Sequence, residues 1–222
     1  MAAKAEVTEL RPKKDTEIII LPPNFQVLSQ KIEGTAPYVC NAFSNKTETM
    51  LMDKHREGGK AKSKKERKPR KFEDEYKAAF HVSEEGWYGI PAAAFRCAMI
   101  DVCRVAGFVM SRAKLAIFII PDGYDKTNSG TPLVRIYGRP VMCKAAVKLA
   151  TGVVDIRVRP MWKKWHATPK IRFDADMFGP SDVANLLWRA GEQNGIGEGR
   201  PNSKDGFGCG WGTFVISDVE RV

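Results

Sequence analysis

Glycine residues cluster near the end of the chain, where seven of the eighteen residues from Gly195 to Gly212 are glycine. The cluster follows a helix-like segment and leads into a strand-like one, so it is a loop held at both ends. Glycine permits positive φ angles, and consecutive N–H groups in such a turn can converge on an anion. Two readings are open: a phosphate-binding loop or a flexible loop without a ligand.

The position of this loop excludes the two common nucleotide-binding motifs. A Walker loop needs Gly-Lys-Ser/Thr at the start of a helix, and a dinucleotide fingerprint needs Gly-x-Gly-x-x-Gly between a first strand and a helix. Here the glycines follow a helix and precede the last strand. The sequence therefore argues against an NTPase and a dehydrogenase.

Residues 54–72 form a strongly basic segment. From Lys54 to Lys71 there are ten Lys or Arg residues against two Glu. Because the segment has almost no apolar residue, it cannot build a core, and we expect a flexible basic loop. It is either a solvated linker or a contact to nucleic acid. The candidate cations are Lys60, Lys62, Lys64, Lys65, Arg67, Lys68, Arg70 and Lys71.

Residues 153–173 predict a long β-hairpin with a cationic side. In the two arms, 153–159 and 168–173, polar and apolar residues alternate. Pairing of these arms would place four cations on one side of the ribbon: Arg157, Arg159, Lys170 and Arg172. The tip interleaves two tryptophans with two lysines, in the order Trp162, Lys163, Lys164 and Trp165. Such indoles either stack on bases of a single strand or fold back onto the core.

Two histidines are the only candidate general bases outside the basic segment, His81 and His166. A lone histidine is more often a hydrogen-bonded structural residue than a catalyst, so we expect a binding protein rather than an enzyme. The five cysteines are scattered, with no Cys-x-x-Cys pair. Structural zinc and a disulfide framework are therefore not expected, and no metal or cofactor is predicted.

The order of elements predicts an α+β fold. The strongest helix begins at Pro91 and has an apolar stripe that includes Phe95, Ala98, Met99 and Val102. Strands are predicted at 25–33, 114–120, 133–137 and 211–216, with a second helix at 181–193. This order suits a ferredoxin-like (RRM-like) βαββαβ core with an inserted long β-hairpin and a basic flexible loop. We expect an N-terminal tail, 1–23, followed by a single domain, 24–222.

Composition and charge restrict the partners. With 222 residues and 43% apolar content, the chain can bury a substantial core. No apolar stretch approaches the length of a membrane span, and the first residues do not resemble a secretory signal, so we expect a cytoplasmic protein with no membrane partner. The formal net charge of +10 makes an acidic polymer the leading partner.

Two motifs resemble the RAMP superfamily (repeat-associated mysterious proteins). The first is the helix followed by Gly-Ile-Gly-Glu-Gly-Arg-Pro, Gly-Phe-Gly and a final strand, and the second is the entrance to the first helix at 89–96. Members of this superfamily form the guide-RNA-binding backbone of CRISPR effector complexes. The resemblance implies a prokaryotic protein, encoded by the cell or by a phage, that binds an RNA or single-stranded DNA backbone and stacks head to tail. The residues that the resemblance implies as backbone-contact positions are Gly195, Gly197, Gly199, Arg200, Gly206 and Gly208.

We therefore expect sequence-nonspecific binding to the backbone of a single-stranded nucleic acid, with assembly into a homo-oligomer or filament on the strand. Two alternatives stay open: an RNA-cleaving member of the same superfamily, and a structural or assembly protein of a phage. The sequence does not separate RNA from DNA, because that choice depends on contacts to one hydroxyl group.

Overall fold

The computed structural model describes residues 21–42, 49, 52–53, 55–56, 70–127, 130–148, 154–203 and 209–217, with side chains described for all of these except 145–148 and 154–155. Most of the predicted tail and most of the basic segment lie outside these residues. Within them the fold is α+β, with antiparallel sheets and four helices. The helices are α1 (Phe72–Ala78), α2 (Ala92–Cys103), α3 (Met110–Ala116) and α4 (Pro180–Arg189), the last continued by a π-helical turn, Ala190–Asn194.

The described strands form three antiparallel sheets. In chain order they are β1 (Phe25–Ser29), β2 (Ile32–Gly34), β3 (Tyr38–Val39), β4 (Gly89–Pro91), β5 (Ile117–Ile120), β6 (Gly123–Tyr124), β7 (Pro132–Tyr137), β8 (Pro140–Lys148), β9 (Val154–Trp162), β10 (His166–Ala167), β11 (Lys170–Asp174) and β12 (Phe214–Ile216). The strand orders are β1-β11-β5, β12-β2-β10-β7-β4 with β6 paired to β7, and β3-β9-β8.

The first two sheets are connected by consecutive strands of the chain. Only Thr168 and Pro169 separate β10 from β11, and these two strands lie in different sheets. Burial alternates without interruption across the junction. Ile171 and Phe173 point inward, whereas Lys170 and Arg172 are exposed, which confirms the predicted alternation of this segment. We call the outward side of β1-β11-β5 and β2-β10-β7 the open face.

Helices α2 and α4 cover the opposite side of these strands. The predicted stripe on α2 is confirmed, since Phe95, Ala98, Met99 and Val102 are buried. Helix α4 adds Val183, Leu186 and Leu187 to the same core, which also holds side chains from the strands. Each fully buried side chain of this kind contributes roughly 1.5–3 kcal/mol to folding. Within the described residues, none of the helices combines the length and hydrophobicity needed to cross a bilayer.

The predicted hairpin over 153–173 is wrong in its pairing. Strand β9 pairs with β8 along its whole length, from Pro140 opposite Trp162 to Lys148 opposite Val154. Strand β11 pairs instead with β1 and β5. The inward residues of β11 belong to the core under α2, and this strand therefore pairs with strands of that core and not with β9.

The predicted strand over 114–120 is half wrong. Helix α3 continues to Ala116, and extended structure begins only at Ile117. Met110–Ala116 contains good helix formers, and the β-branched run starts at Ile117, so local propensity explains the boundary.

Candidate nucleic-acid interface

The glycine loop is packed against its own chain. Gly195, Gly197 and Gly199 have φ angles of +65°, +83° and +73°. A Cβ on Gly197 would lie 2.7 Å from Tyr38, and one on Gly199 would lie 2.6 Å from Trp211. Only glycine combines these backbone angles with this close approach. The close approach that the sequence suggested is therefore made to Tyr38 and Trp211. Gly206 and Gly208 lie outside the described residues.

Several polar groups of this loop bond to carbonyl groups of the same chain. The backbone N–H groups of Ile196 and Glu198 donate to Gly212 O and Val39 O, both at 3.0 Å. Arg200 Nη1 donates to Gly197 O at 3.2 Å. These donors stabilise the loop and are not aimed at an anion.

Arg159 joins the β8-β9 hairpin to the glycine loop. Its Nε lies 2.8 Å from Glu198 Oε2, and its side chain is only 12% exposed. The guanidinium that we expected to contact a phosphate is therefore paired with a carboxylate of the same chain. Arg157 lies on the same strand and is partly buried. The four predicted cations do not share one surface, since Lys170 and Arg172 lie on the open face.

The two tryptophans after Met161 are buried. Trp162 is 1% exposed and packs against the rings of Tyr38, Phe80 and Tyr88. Trp165 is 4% exposed, and its Nε1 donates to Ala36 O at 2.9 Å. The expectation that either indole stacks on a base is corrected, because both fold onto the core. The intervening Lys163 and Lys164 are exposed.

The described end of the basic segment contacts the domain. Arg70 Nε lies 2.8 Å from Glu75 Oε1, and Arg70 Nη1 donates to Ile156 O at 3.4 Å. Lys71 is exposed at the start of α1. The other predicted cations of this segment lie outside the described residues: Lys60, Lys62, Lys64, Lys65, Arg67 and Lys68.

His81 belongs to a buried hydrogen-bond network. Its Nδ1 lies 2.6 Å from Asp125 Oδ2, and Asp125 is 2% exposed. Asp125 Oδ1 also accepts bonds from the backbone N–H and the hydroxyl of Thr127, both at 2.9 Å. The nearby Cys40 is also buried, and burial raises the pKa of its thiol to about 11. A protonated thiol is a poor nucleophile. The bonds of Asp125 to His81 and Thr127 tie the β6 region to the residues before β4.

Arg172 packs against a pair of aromatic rings on the open face, Phe25 and Phe118, which contact each other edge to face with 5.8 Å between centroids. Its Cζ is 4.8 Å from the Phe25 ring centroid and 5.0 Å from that of Phe118. Phe118 lies directly opposite Arg172 on β5. Phe25 is 39% exposed, and Val27, opposite Arg172 on β1, is 57% exposed. This cluster presents aromatic and cationic groups together at the protein surface.

A second aromatic-cation array follows on β7 and β10. Arg135 Cζ lies 5.8 Å from the Trp87 ring centroid and 5.1 Å from that of Tyr137. The Tyr137 ring stacks on the His166 ring, with 4.9 Å between centroids and an interplanar angle of 6°. His166 is therefore a stacked surface residue. Trp87, Arg135, Tyr137 and His166 form a continuous ladder of planar groups.

Arg135 and Arg172 share an electrostatic property. Within the part of the chain that the structure describes, neither guanidinium is paired with a carboxylate. A guanidinium carries five N–H donors in a planar fork that suits a phosphate, and a cation–π contact with a ring does not require these donors. Both arginines can therefore donate to a phosphate without breaking an ion pair.

An open pocket of about 290 Å³ lies beside the ladder. Lys170 Nζ lies 3.0 Å from Asp122 Oδ1, and the Arg135 backbone N–H donates to Asp122 Oδ2 at 3.0 Å. Its lining combines two rings with polar and charged side chains: Glu85, Trp87, Asp122, Arg135, Tyr137, Thr168 and Lys170.

Sequence patterns alone did not identify most of this candidate surface, namely Phe25, Trp87, Phe118, Arg135 and Tyr137. The available signal was alternation, because the exposed Arg135 and Tyr137 flank the buried Ile136 on β7. Alternation identifies an outward side chain but not which other strand lies next to it.

The described residues contain no group of three or more His, Cys, Asp or Glu residues placed to hold a metal ion. Comparison with protein-family models finds no matching family, and comparison with curated proteins finds no match to this chain.

Proposed function

We propose that the protein binds single-stranded nucleic acid across the open face, with little dependence on sequence. Arg135 and Arg172 bind phosphates, and the exposed rings beside them stack on bases. The observation that carries this proposal is the pair of arginines, each lying close to two aromatic rings and unpaired with a carboxylate among the described residues. The proposal covers both RNA and single-stranded DNA as candidate ligands.

Aromatic side chains favour a single strand over a duplex. The bases of a single strand are accessible, and each can stack on a ring with ~1–3 kcal/mol of binding energy. A duplex hides its base faces and would contact only the cations. The exposed ring of Phe25 therefore supports a single-stranded ligand.

The strand order supports the core that we propose, a ferredoxin-like unit related to the RAMP superfamily. Counting β1-β2, β5-β7, β10-β11 and β12 as four strands, the order across the sheets is fourth, first, third, second, and all neighbours are antiparallel. Helices α2 and α4 connect the first strand to the second and the third to the fourth. In RRM domains a sheet of this kind stacks bases on its outer aromatic residues.

We also propose that the basic segment 54–72 adds phosphate contacts and that copies of the chain assemble head to tail along a bound strand. The net charge of +10 supports the first part, because counterion release favours binding of a polyanion. Size-exclusion chromatography with light scattering, with and without a long single strand, tests the second part. A mass that stays monomeric on a long strand would contradict it.

Fluorescence anisotropy tests the central proposal with labelled single-stranded RNA, single-stranded DNA and duplex DNA at two salt concentrations. We expect salt-sensitive binding that favours one of the single strands over the duplex. The double variant Arg135→Ala and Arg172→Ala should weaken binding about tenfold or more, and it should lower the salt slope by about 0.7 for each lost phosphate contact.

The matched control is the double variant Arg104→Ala and Arg112→Ala. It removes the same charge, and Arg112 likewise lies over a ring, with its Cζ 5.9 Å from the Phe108 centroid, but it belongs to α3 rather than to the open face. Equal losses of affinity in the two double variants would mean that binding depends on net charge and not on the position of the arginines. No binding by the wild-type protein would overturn the proposal.

A further inference from the structure

The pocket beside the ladder is electrically balanced. Two of its lining residues are carboxylates, Glu85 and Asp122, and two are cations, Arg135 and Lys170. A phosphate placed inside would meet both carboxylates and gain little. A neutral planar group would gain contact with the rings of Trp87 and Tyr137 without that repulsion. The balance of charge therefore favours a nucleobase over a phosphate.

The turn that carries Glu85 and Trp87 is held in place by several bonds. The Trp87 backbone N–H donates to Ser83 Oγ at 3.2 Å, and Gly86 takes the φ angle of +89° that the turn requires. The indole lies close against Gly123, where an added Cβ would be 2.7 Å from Trp87 Cζ2. One wall of the pocket is thus fixed before any ligand binds.

Glu85 gives this pocket a hydrogen-bonding preference. Its Oε2 accepts from Trp87 Nε1 at 3.0 Å, and its Oε1 has no hydrogen-bond partner within the described residues. An ionised carboxylate only accepts hydrogen bonds. Cytosine, adenine and guanine carry exocyclic amino groups that donate, whereas uracil and thymine present a carbonyl oxygen, O4, in the place of the cytosine amino group.

We propose that the pocket holds one unstacked base of the bound strand and selects a base with an exocyclic amino group through Glu85. This inference depends on the proposed function, because it places the base of a strand whose phosphates contact Arg135 and Arg172. It adds a modest base preference at one position to binding that is otherwise tolerant of sequence.

The experiment compares two pyrimidine homopolymers, because cytosine and uracil have rings of the same size. Anisotropy titrations with labelled oligo(C) and oligo(U), and with oligo(dC) and oligo(dT), are made at one salt concentration and pH 7.5. The wild-type protein should bind the cytosine strand about three- to tenfold more tightly, the range expected from one added hydrogen bond. The RNA and DNA pairs show whether the preference depends on the sugar.

The decisive variant is Glu85→Gln. The glutamine amide can still accept from Trp87 Nε1, and it adds an N–H donor for uracil O4. The ratio of cytosine to uracil affinity should therefore fall to about one or below, because cytosine loses its acceptor and uracil gains a donor. Glu84→Gln is the control, because this neighbouring exposed glutamate loses the same charge and does not line the pocket.

The outcomes separate this inference from the function on which it depends. Equal wild-type affinity for cytosine and uracil strands, with both bound tightly, overturns the base preference and leaves the interface intact. Equal ratios in Glu85→Gln and Glu84→Gln overturn the role of Glu85. Failure of every strand to bind overturns the proposed function and the pocket assignment together. A thermal melt of Glu85→Gln close to that of wild type verifies that the turn still folds.

Discussion

The segment 161–165 and the open face have similar side chains but opposite orientations. The first offers Trp162 and Trp165 around two lysines, and both indoles are buried. The second offers aromatic rings around Arg135 and Arg172 at the surface. The difference shows that aromatic and basic composition is not enough to identify a binding surface. What matters is whether another part of the chain already covers the ring.

The largest expected effect is on folding, from Trp162→Ala. Removal of this buried indole should lower the free energy of unfolding by about 3–5 kcal/mol, because it leaves a cavity among Tyr38, Phe80 and Tyr88. Urea unfolding followed by circular dichroism measures the loss. Trp87→Ala is the comparison and should cost clearly less, since Trp87 is only partly buried. Similar losses in both variants would remove the distinction between the two regions.

The next effect is expected from Gly197→Ala. The positive φ angle and the contact with Tyr38 should together lower the free energy of unfolding by about 1–3 kcal/mol. Once folded, the variant should bind single strands with wild-type affinity. If the variant kept its stability but lost affinity for single strands, the glycine loop would be part of the binding surface after all.

The cysteine thiols allow the buried core and the protein surface to be compared by their titration and reactivity. Burial raises the pKa of the Cys40 thiol from 9.0 to about 11, so this thiol stays protonated at pH 8. The unfolded chain loses this proton at lower pH than the folded chain, so Cys40 contributes a loss of stability between about pH 9 and 11.

Maleimide labelling at pH 8 with mass spectrometry should modify the exposed Cys97 and Cys209 but not the buried Cys40. Labelling of Cys40 at the rate of Cys97 would show that this core opens readily.

The smallest effect is expected from Arg159→Ala. Its guanidinium is paired with Glu198, so its loss should change the affinity for single strands by less than about twofold. Arg172→Ala, which breaks no ion pair among the described residues, should weaken binding several-fold. Anisotropy at one salt concentration compares the two. An equal or larger loss of affinity for Arg159→Ala would indicate that the interface lies near the glycine loop and not on the open face.

Local patterns predicted the parts of the fold that depend on local sequence. The stripe on α2 identified a core helix, and alternation correctly placed Lys170 and Arg172 opposite Ile171 and Phe173. Pairing was not predictable in the same way, because an alternating strand fits any partner with a complementary inward face. Strand β9 found its partner in β8, immediately before it in the chain.

The candidate site was less predictable than the fold, because it combines distant segments. Phe25 and Arg172 meet although most of the chain lies between them. Conversely, Tyr38 covers Trp162 and Trp165 from an equally distant position. The sequence around each tryptophan gives no sign of Tyr38, so the burial of the two tryptophans could be found only in the folded chain.

The change of sheet at Thr168 and Pro169 gives the open face a fixed length. Proline has no N–H to donate, which suits a point where one ladder of hydrogen bonds ends and another begins. His166 and Arg172 lie six residues apart along this strand, which corresponds to ~20 Å of extended chain. In the proposed binding mode, we therefore expect an oligonucleotide too short to span that distance to contact one array at a time, so that affinity rises stepwise with oligonucleotide length.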